Sequence, residues 1–393
     1  MPPTGRLGWP TAAALTFLAA ASVLILEIAA GRLLAPYVGV SLTTYTGIIG
    51  AILAGIALGA WLGGRAADAF GPEALLGPTV VLGGCAAMAS VPLVVVVGGL
   101  GIGDGPLAIV TLATIGFVLP ATLLSAVAPM LVRATLVDLA TSGSVVGRLS
   151  AVGTVGAISG TFVTGFILLG LVPTRPLIVA VGAVLVVIGL WLTWRLRRDR
   201  RRVAGLALGA VLLAGTALAL PSPCATESAY YCIAIRIDDT EPDGRTLILD
   251  GLTHAYVDVA DPSVLRFGYV RRFADAAGPT IDRLGGRFDA LHIGGGGFTF
   301  PRSLDRAYPA STHTVLELDP VVLAVARAEL DFAPSDRVEV VVGDARQSIE
   351  RLPDAAYDVI AADAFGGLAV PWHLTTREFV AEMRRVLRPG GVL

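Results

Sequence analysis

Lysine is absent from the 393 residues, so all 29 basic side chains are arginines. That excludes Schiff-base chemistry and a lysine general base at any site on the chain. Charge of either sign is scarce: 15% of the residues carry one, against about a quarter in ordinary globular domains. The three cysteines and four histidines are scattered, which leaves no metal-ligand cluster and no structural zinc site. Acids are scarcest in residues 1–220, which hold six (Glu27, Asp68, Glu73, Asp104, Asp138, Asp199) beside twelve arginines, a net of +6. Residues 221–393 hold 25 acids and 17 arginines, a net of −8. What abounds is apolar, 54% of the chain, with a mean hydropathy of +0.75. One soluble domain is excluded, and a membrane-embedded half joined to an acidic, water-soluble half is what remains. Nucleic-acid binding is excluded too, because it needs a basic face.

Apolar runs near 10–30, 45–64, 78–99, 106–131, 149–171, 176–194 and 203–220 each approach the roughly 20 residues that cross a bilayer. They predict an all-α polytopic bundle of about seven spans over residues 1–220. The first run lacks the cleavage site of a signal peptide. With the N-terminus inside, the inner segments hold ten arginines (Arg6, Arg65, Arg133, Arg148, Arg195, Arg197, Arg198, Arg200, Arg201, Arg202) and the outer loops two (Arg32, Arg175). Cytoplasmic loops carry the positive excess, so an odd span count puts residues 221–393 on the outer face of a cell membrane. Cys224 and Cys232, eight apart just past the last run, suit a disulfide of an oxidising compartment. Two free thiols are the alternative. Gly47, Ala51, Gly55, Gly59 and Gly63, and likewise Gly156 and Gly160, place small residues on one helix face and read as packing seams. Glu27, inside a span, either pairs with Arg32 or lines a polar cavity.

Residues 221–286 read as a linker and a small antiparallel β unit, with AYYCIAIRID, RTLILDG and HAYVDVAD as strands and turns between them. From 287 onward strands and helices alternate: FDALHI, HTVLELD, RVEVVVGD, YDVIAAD and RPGGVL are strands, and PVVLAVARAELD and TREFVAEMRRVL are helices. That predicts an α/β doubly wound parallel sheet over 287–393, with ligands at the carboxyl ends of its strands. The candidates sit there. Gly294, Gly295 and Gly296 end the first strand. Glu317 ends the second, 21 residues past the middle of the glycine run, the spacing of an acid that takes ribose hydroxyls. Asp344 ends the third and Asp363 the fourth. Each acid alone could be a helix cap. Together they point to an adenosyl-binding site.

On these residues a resemblance becomes specific. LDG at 249–251, Tyr269, IGGGG at 293–297, ELD at 317–319, GDA at 343–345, YDVIAAD at 357–363, and TREF with LRPGG resemble the polyamine aminopropyltransferases (spermidine synthases). LEIAAGRLLAPYVG and GIALGAWLGGRAAD resemble the membrane portion of bacterial proteins that fuse a multispan region to such a domain. The resemblance implies a Rossmann-like fold and decarboxylated S-adenosylmethionine as co-substrate, or S-adenosylmethionine itself, and no metal. It implies that Glu317 holds the ribose, Asp344 the adenine and Asp363 the attacking amine, with His254 and Tyr269 facing the substrate. The partners expected are the bilayer, a small-molecule amine and, in a homodimer, a second copy. Three departures stand out. The family's acid in the glycine loop is Gly297 here, a second acid past Asp363 is Gly366, and Leu393 falls in the fifth strand, so the sheet reads as truncated. They keep open a non-catalytic nucleoside- or polyamine-binding, transport-coupled module, or an S-adenosylmethionine-dependent methyltransferase.

Overall fold

The computed structural model describes residues 7–136, 138–197, 200–367 and 369–393. Of the arginines counted for orientation, Arg6 and Arg198 lie outside the described residues. The chain divides into two compact units, Met1–Ser222 and Pro223–Leu393.

The first unit is helical. Among the described residues, six helices are long and apolar enough to cross a membrane: Trp9–Val38, Leu42–Phe70, Pro72–Gly98, Pro106–Thr135, Ser142–Leu171 and Thr174–Leu196. The seventh expected span is the helix Arg200–Ala219, whose apolar part, Ala204–Ala219, is shorter than the other six. Helices satisfy most backbone groups internally, the ends excepted, as an apolar surrounding would demand. The glycine seams are packing seams. A Cβ on Gly59 would lie 2.2 Å from the Thr122 carbonyl oxygen, and one on Gly63 2.6 Å from Ala126 Cα. A Cβ on Gly156 would lie 2.4 Å from the Phe17 carbonyl oxygen and one on Gly160 2.6 Å from that of Ala21. These contacts also fix direction. Positions 156 and 160 meet 17 and 21 in rising order, and 59 and 63 meet 122 and 126 likewise, so the first and fifth helices run parallel, as do the second and fourth. The third and sixth run antiparallel, since Gly77 meets Thr193 and Gly84 meets Gly182. A chain threaded up and down gives this parity. Arg175, buried at the start of the sixth helix, donates to the carbonyls of Leu220 (2.8 Å) and Pro221 (3.0 Å). It thereby ties the start of the sixth helix to the segment just past the seventh.

Among the described residues, the second unit contains two sheets. Strands β1 (Thr226–Glu227), β2 (Cys232–Ile237), β3 (Gly244–Leu249) and β4 (Leu252–Asp258) form an antiparallel sheet in that order. Asp250 and Gly251, both at positive φ (50° and 80°), make the two-residue turn between β3 and β4, as a type I′ hairpin requires. Asp250 also accepts the Cys232 N–H through Oδ1 (2.8 Å), so the LDG motif is a structural corner. A helix not foreseen from the sequence, Gly268–Arg283, follows. Strands β5 (Asp289–Ile293), β6 (Thr312–Glu317), β7 (Val338–Val342), β8 (Tyr357–Ala362) and β9 (Leu387–Val392) form a sheet ordered β7-β6-β5-β8-β9, all pairs parallel. The stretches expected as separate segments, 221–286 and 287–393, share one core. Ile233, Leu247 and Leu249 of the antiparallel sheet are buried in one cluster with Phe298, Val315 and Val322. An antiparallel sheet this small keeps one apolar face and must cover it, and here the parallel layer does so.

Candidate active site

Strand register builds the site. Ile293 pairs with Leu316 on one side and Ala362 on the other. The residues that follow, Gly294, Glu317 and Asp363, therefore leave the sheet side by side. The chain order reverses between β5 and β8, the switch point at which parallel sheets open a crevice. A cavity of about 140 Å³ lies there, lined by Gly294–Gly297, Glu317, Asp344 and Asp363, far larger than the space one water occupies. Only a glycine fits at 294: its φ is +100°, and a Cβ would lie 2.3 Å from the Asp363 carbonyl oxygen.

The three carboxylates differ. Glu317 is 6% exposed; its Oε2 accepts the N–H groups of Gly295 (2.8 Å) and Gly296 (3.2 Å) and its Oε1 that of Asp319 (2.8 Å). Burial pushes its pKa up, and those three hydrogen bonds pull against the rise. Glu317 thus shapes the glycine loop as well as facing the cavity. Asp344 Oδ1 caps the helix Ala345–Ile349, accepting from the N–H groups of Arg346 (2.8 Å) and Gln347 (3.3 Å). Its other oxygen lies 3.5 Å from His373 Nε2. Asp363 accepts one side-chain hydrogen bond, from the Tyr269 hydroxyl (3.1 Å). Burial raises its pKa to about 6, the tyrosine opposing. The Tyr269 hydroxyl is itself pushed up, by burial first and by the Asp363 charge second.

Of the other expected residues, His254 is on β4 in the cavity wall. Its Nδ1 lies 3.1 Å from the Leu252 carbonyl oxygen, which can only accept, so Nδ1 carries the proton and Nε2 is left buried without a partner. Cys224 and Cys232 are joined as a disulfide. His292 is buried and hydrogen-bonded through Nε2 to His313 Nδ1 (3.2 Å). Burial and its partner hold its pKa well below the usual histidine range. Two lining residues carry no sequence signal. Tyr231 enters from β1–β2, its pKa pushed up to about 12 by burial and by the charges of Glu317, Asp250 and Asp319. His373 arrives on the turn after β8. Both come from segments whose placement depends on packing.

The two departures of the glycine loop and the β8 end differ physically. A Cβ on Gly297 would lie 2.7 Å from Ala255 Cβ and 3.0 Å from Val257 Cγ2, so β4 closes that position to any side chain. A Cβ on Gly366 would meet Pro371 Cγ at 3.6 Å, an ordinary contact. Phe298, just past Gly297, takes a left-handed φ of 56° while fully buried and stacked on Phe332 at 4.0 Å.

A family model described as a methyltransferase domain matches residues 291–393. The polyamine aminopropyltransferase of Vibrio vulnificus (strain CMCP6) is 44% identical over 105 residues, 26% of this chain and 35% of that protein. Polyamine aminopropyltransferase 2 of Streptomyces coelicolor is 29% identical over 413 residues, 96% of this chain and 72% of that protein, so the likeness runs through both units. Among solved structures, a probable spermidine synthase from Corynebacterium glutamicum ATCC 13032 is similar over 41% of this chain and 59% of that one, at 32% identity and a TM-score of 0.39. The first three curated relatives are matched over 35%, 39% and 23% of their own length. With the strand-end acids and the glycine loop in place, the chain is similar to polyamine aminopropyltransferases, over the second unit in one relative and over both units in the other.

Proposed function

We propose that the second unit transfers an aminopropyl group from decarboxylated S-adenosylmethionine to a small amine. The observation that carries this is the charge of the cavity. Three carboxylates line it and, among the described residues, no arginine does, so it favours cations: a sulfonium donor and an ammonium acceptor. In this reading Glu317 takes the ribose hydroxyls, Asp344 the adenine, and Asp363 the acceptor. The amine nitrogen forms a bond to the methylene beside the sulfonium. The carbon–sulfur bond breaks with its electron pair going to sulfur, which leaves methylthioadenosine, and the surplus proton passes to Asp363. An alkylammonium has a pKa near 10.4. A carboxyl at about 6 narrows the gap to about four pH units, where an ordinary aspartate leaves more than six. Tyr269 holds the carboxylate that does this.

Calorimetry of the purified protein against decarboxylated S-adenosylmethionine, S-adenosylmethionine and methylthioadenosine tests it. We expect the first and third to bind, and Glu317→Ala to weaken both by about 1.5–3 kcal/mol. Binding of none removes both transferase readings. The crowding at Gly297 favours a second reading, a nucleoside-binding module without turnover. Tight donor binding with no transfer to any diamine would select it.

We further propose that the first unit anchors the protein in a membrane with Pro223–Leu393 on the outer face. The ten-to-two arginine split supports this, and so do the alternating helix directions and the disulfide. At the ends assigned to the inner face, arginines lie over tryptophans: Arg148 over Trp9 at 4.0 Å, and Arg65 over Trp61 and Arg195 over Trp191 at 5.2 Å. Such aromatic and cationic residues suit the bilayer interface. A reporter active only in the cytosol, attached after residue 221, should be silent; strong activity reverses the topology.

A further inference from the structure

The hairpin closed by Cys224–Cys232 has no part in the chemistry above, yet it touches the site at two points. The first is Ser228, buried at 6% exposure. Its hydroxyl accepts the N–H groups of Tyr230 (3.0 Å) and Tyr231 (2.9 Å) and donates to Asp319 Oδ2. Asp319 caps the helix Pro320–Glu329 through Oδ1, and its own N–H donates to Glu317 Oε1. Glu317 then holds Gly295 and Gly296. An unbroken chain of hydrogen bonds therefore runs from the hairpin to the glycine loop. The second point is Tyr231, whose ring lines the cavity and whose hydroxyl donates to the Phe365 carbonyl (3.4 Å), two residues past Asp363.

We propose that Ser228 is a positioning residue for Glu317, held in place by the Cys224–Cys232 disulfide, so that the redox state of this pair sets the affinity of the cavity for its nucleoside. The affinity part rests on the reading of Glu317 as the ribose ligand. The link itself rests on geometry alone. A dithiol reductant breaks the sulfur–sulfur bond, giving each cysteine sulfur one electron and one proton while the dithiol closes to its own disulfide. The nine-residue loop then regains the chain freedom the bridge removed. Ser228 leaves Asp319, and Glu317 loses its brace.

The test uses the full chain in detergent, methylthioadenosine as probe, and amide hydrogen exchange at Gly295 and Gly296. Ser228→Ala should weaken binding about tenfold, the effect of one hydrogen bond to a charged group, and Ser228→Thr should restore most of it. Dithiol treatment should weaken wild type similarly and add little to Ser228→Ala, because both act through one path. Exchange at Gly295 and Gly296 should quicken in both cases while β7 amides stay protected. Unchanged exchange after reduction and in Ser228→Ala overturns the proposal. If the nucleoside does not bind at all, the proposed function fails, and exchange at the two glycines still decides the link.

Discussion

The two units use glycine for opposite reasons. In the helical unit Gly59, Gly63, Gly156 and Gly160 sit at ordinary helical geometry, and what matters is the missing Cβ: a neighbouring backbone occupies its place. In the second unit Gly294 and Gly296 matter for conformation, at φ +100° and +50°, letting backbone N–H groups turn toward a carboxylate. Charge divides the same way. In the first unit Arg65, Arg148 and Arg195 lie over tryptophans and Arg175 donates to carbonyls. The second collects acids at strand ends, and among the described residues no arginine lines the cavity. Close packing holds the helices of the first unit together; in the second, buried polar groups in fixed geometry shape the cavity.

The largest expected effect belongs to Asp363. Asp363→Asn keeps the shape and the Tyr269 contact but removes the proton acceptor, so turnover should fall by about 10²–10⁴ with donor affinity kept. In wild type kcat/KM should fall about tenfold per pH unit below about pH 6, since only the ionised carboxyl accepts. A pH-independent rate would remove Asp363 as the base.

The packing role of glycine is tested by Gly59→Leu, which must displace the Thr122 backbone and should destabilise the helical unit by about 3 kcal/mol. Gly50→Leu is the control, since a Cβ there meets nothing within 4 Å. Thermal unfolding in detergent reads both, and equal melting temperatures would refute the seam.

Asp363 also carries a stability effect of known sign. Its folded pKa of about 6 lies above the ordinary 3.8, so between those values the folded state holds a proton the unfolded state has lost. Stability therefore falls as pH rises through that window. Asp363→Asn should raise stability by about 1–3 kcal/mol at pH 8 and leave it unchanged at pH 3. A pH-independent difference in melting temperature would show that burial of the charge is not the cause. The smallest effect is expected at Gly366, where a side chain has room. Gly366→Asp should improve diamine affinity by about 1 kcal/mol, whereas Gly297→Asp should lower the melting temperature without improving it. Equal outcomes at the two positions would show that β4 does not close the loop.

Much of this was legible in the sequence, because period and composition are local properties. The apolar runs became helices, and the alternating βα pattern from 287 became a parallel sheet with Glu317, Asp344 and Asp363 at its strand ends. The helix Gly268–Arg283, which buries Val270, Ala277, Thr280 and Ile281, carries Pro279 in its interior, and the Gly278-Pro279 pair reads locally as a turn.

The sequence by itself determined the element types, the two-part charge division and the acids at the strand ends, since each follows from residue type and spacing along the chain. Only the tertiary structure decided which of those acids share a cavity and how each is occupied. Asp344 is engaged by its own helix N-terminus, Glu317 by a loop 21 residues away, and Asp363 by one tyrosine 94 residues away. Tertiary structure also decided that Gly297 has no room for a side chain and that Tyr231 lines the cavity. The reason is physical: pKa, crowding and hydrogen-bond occupancy depend on what lies within a few ångströms, and those neighbours are distant in sequence.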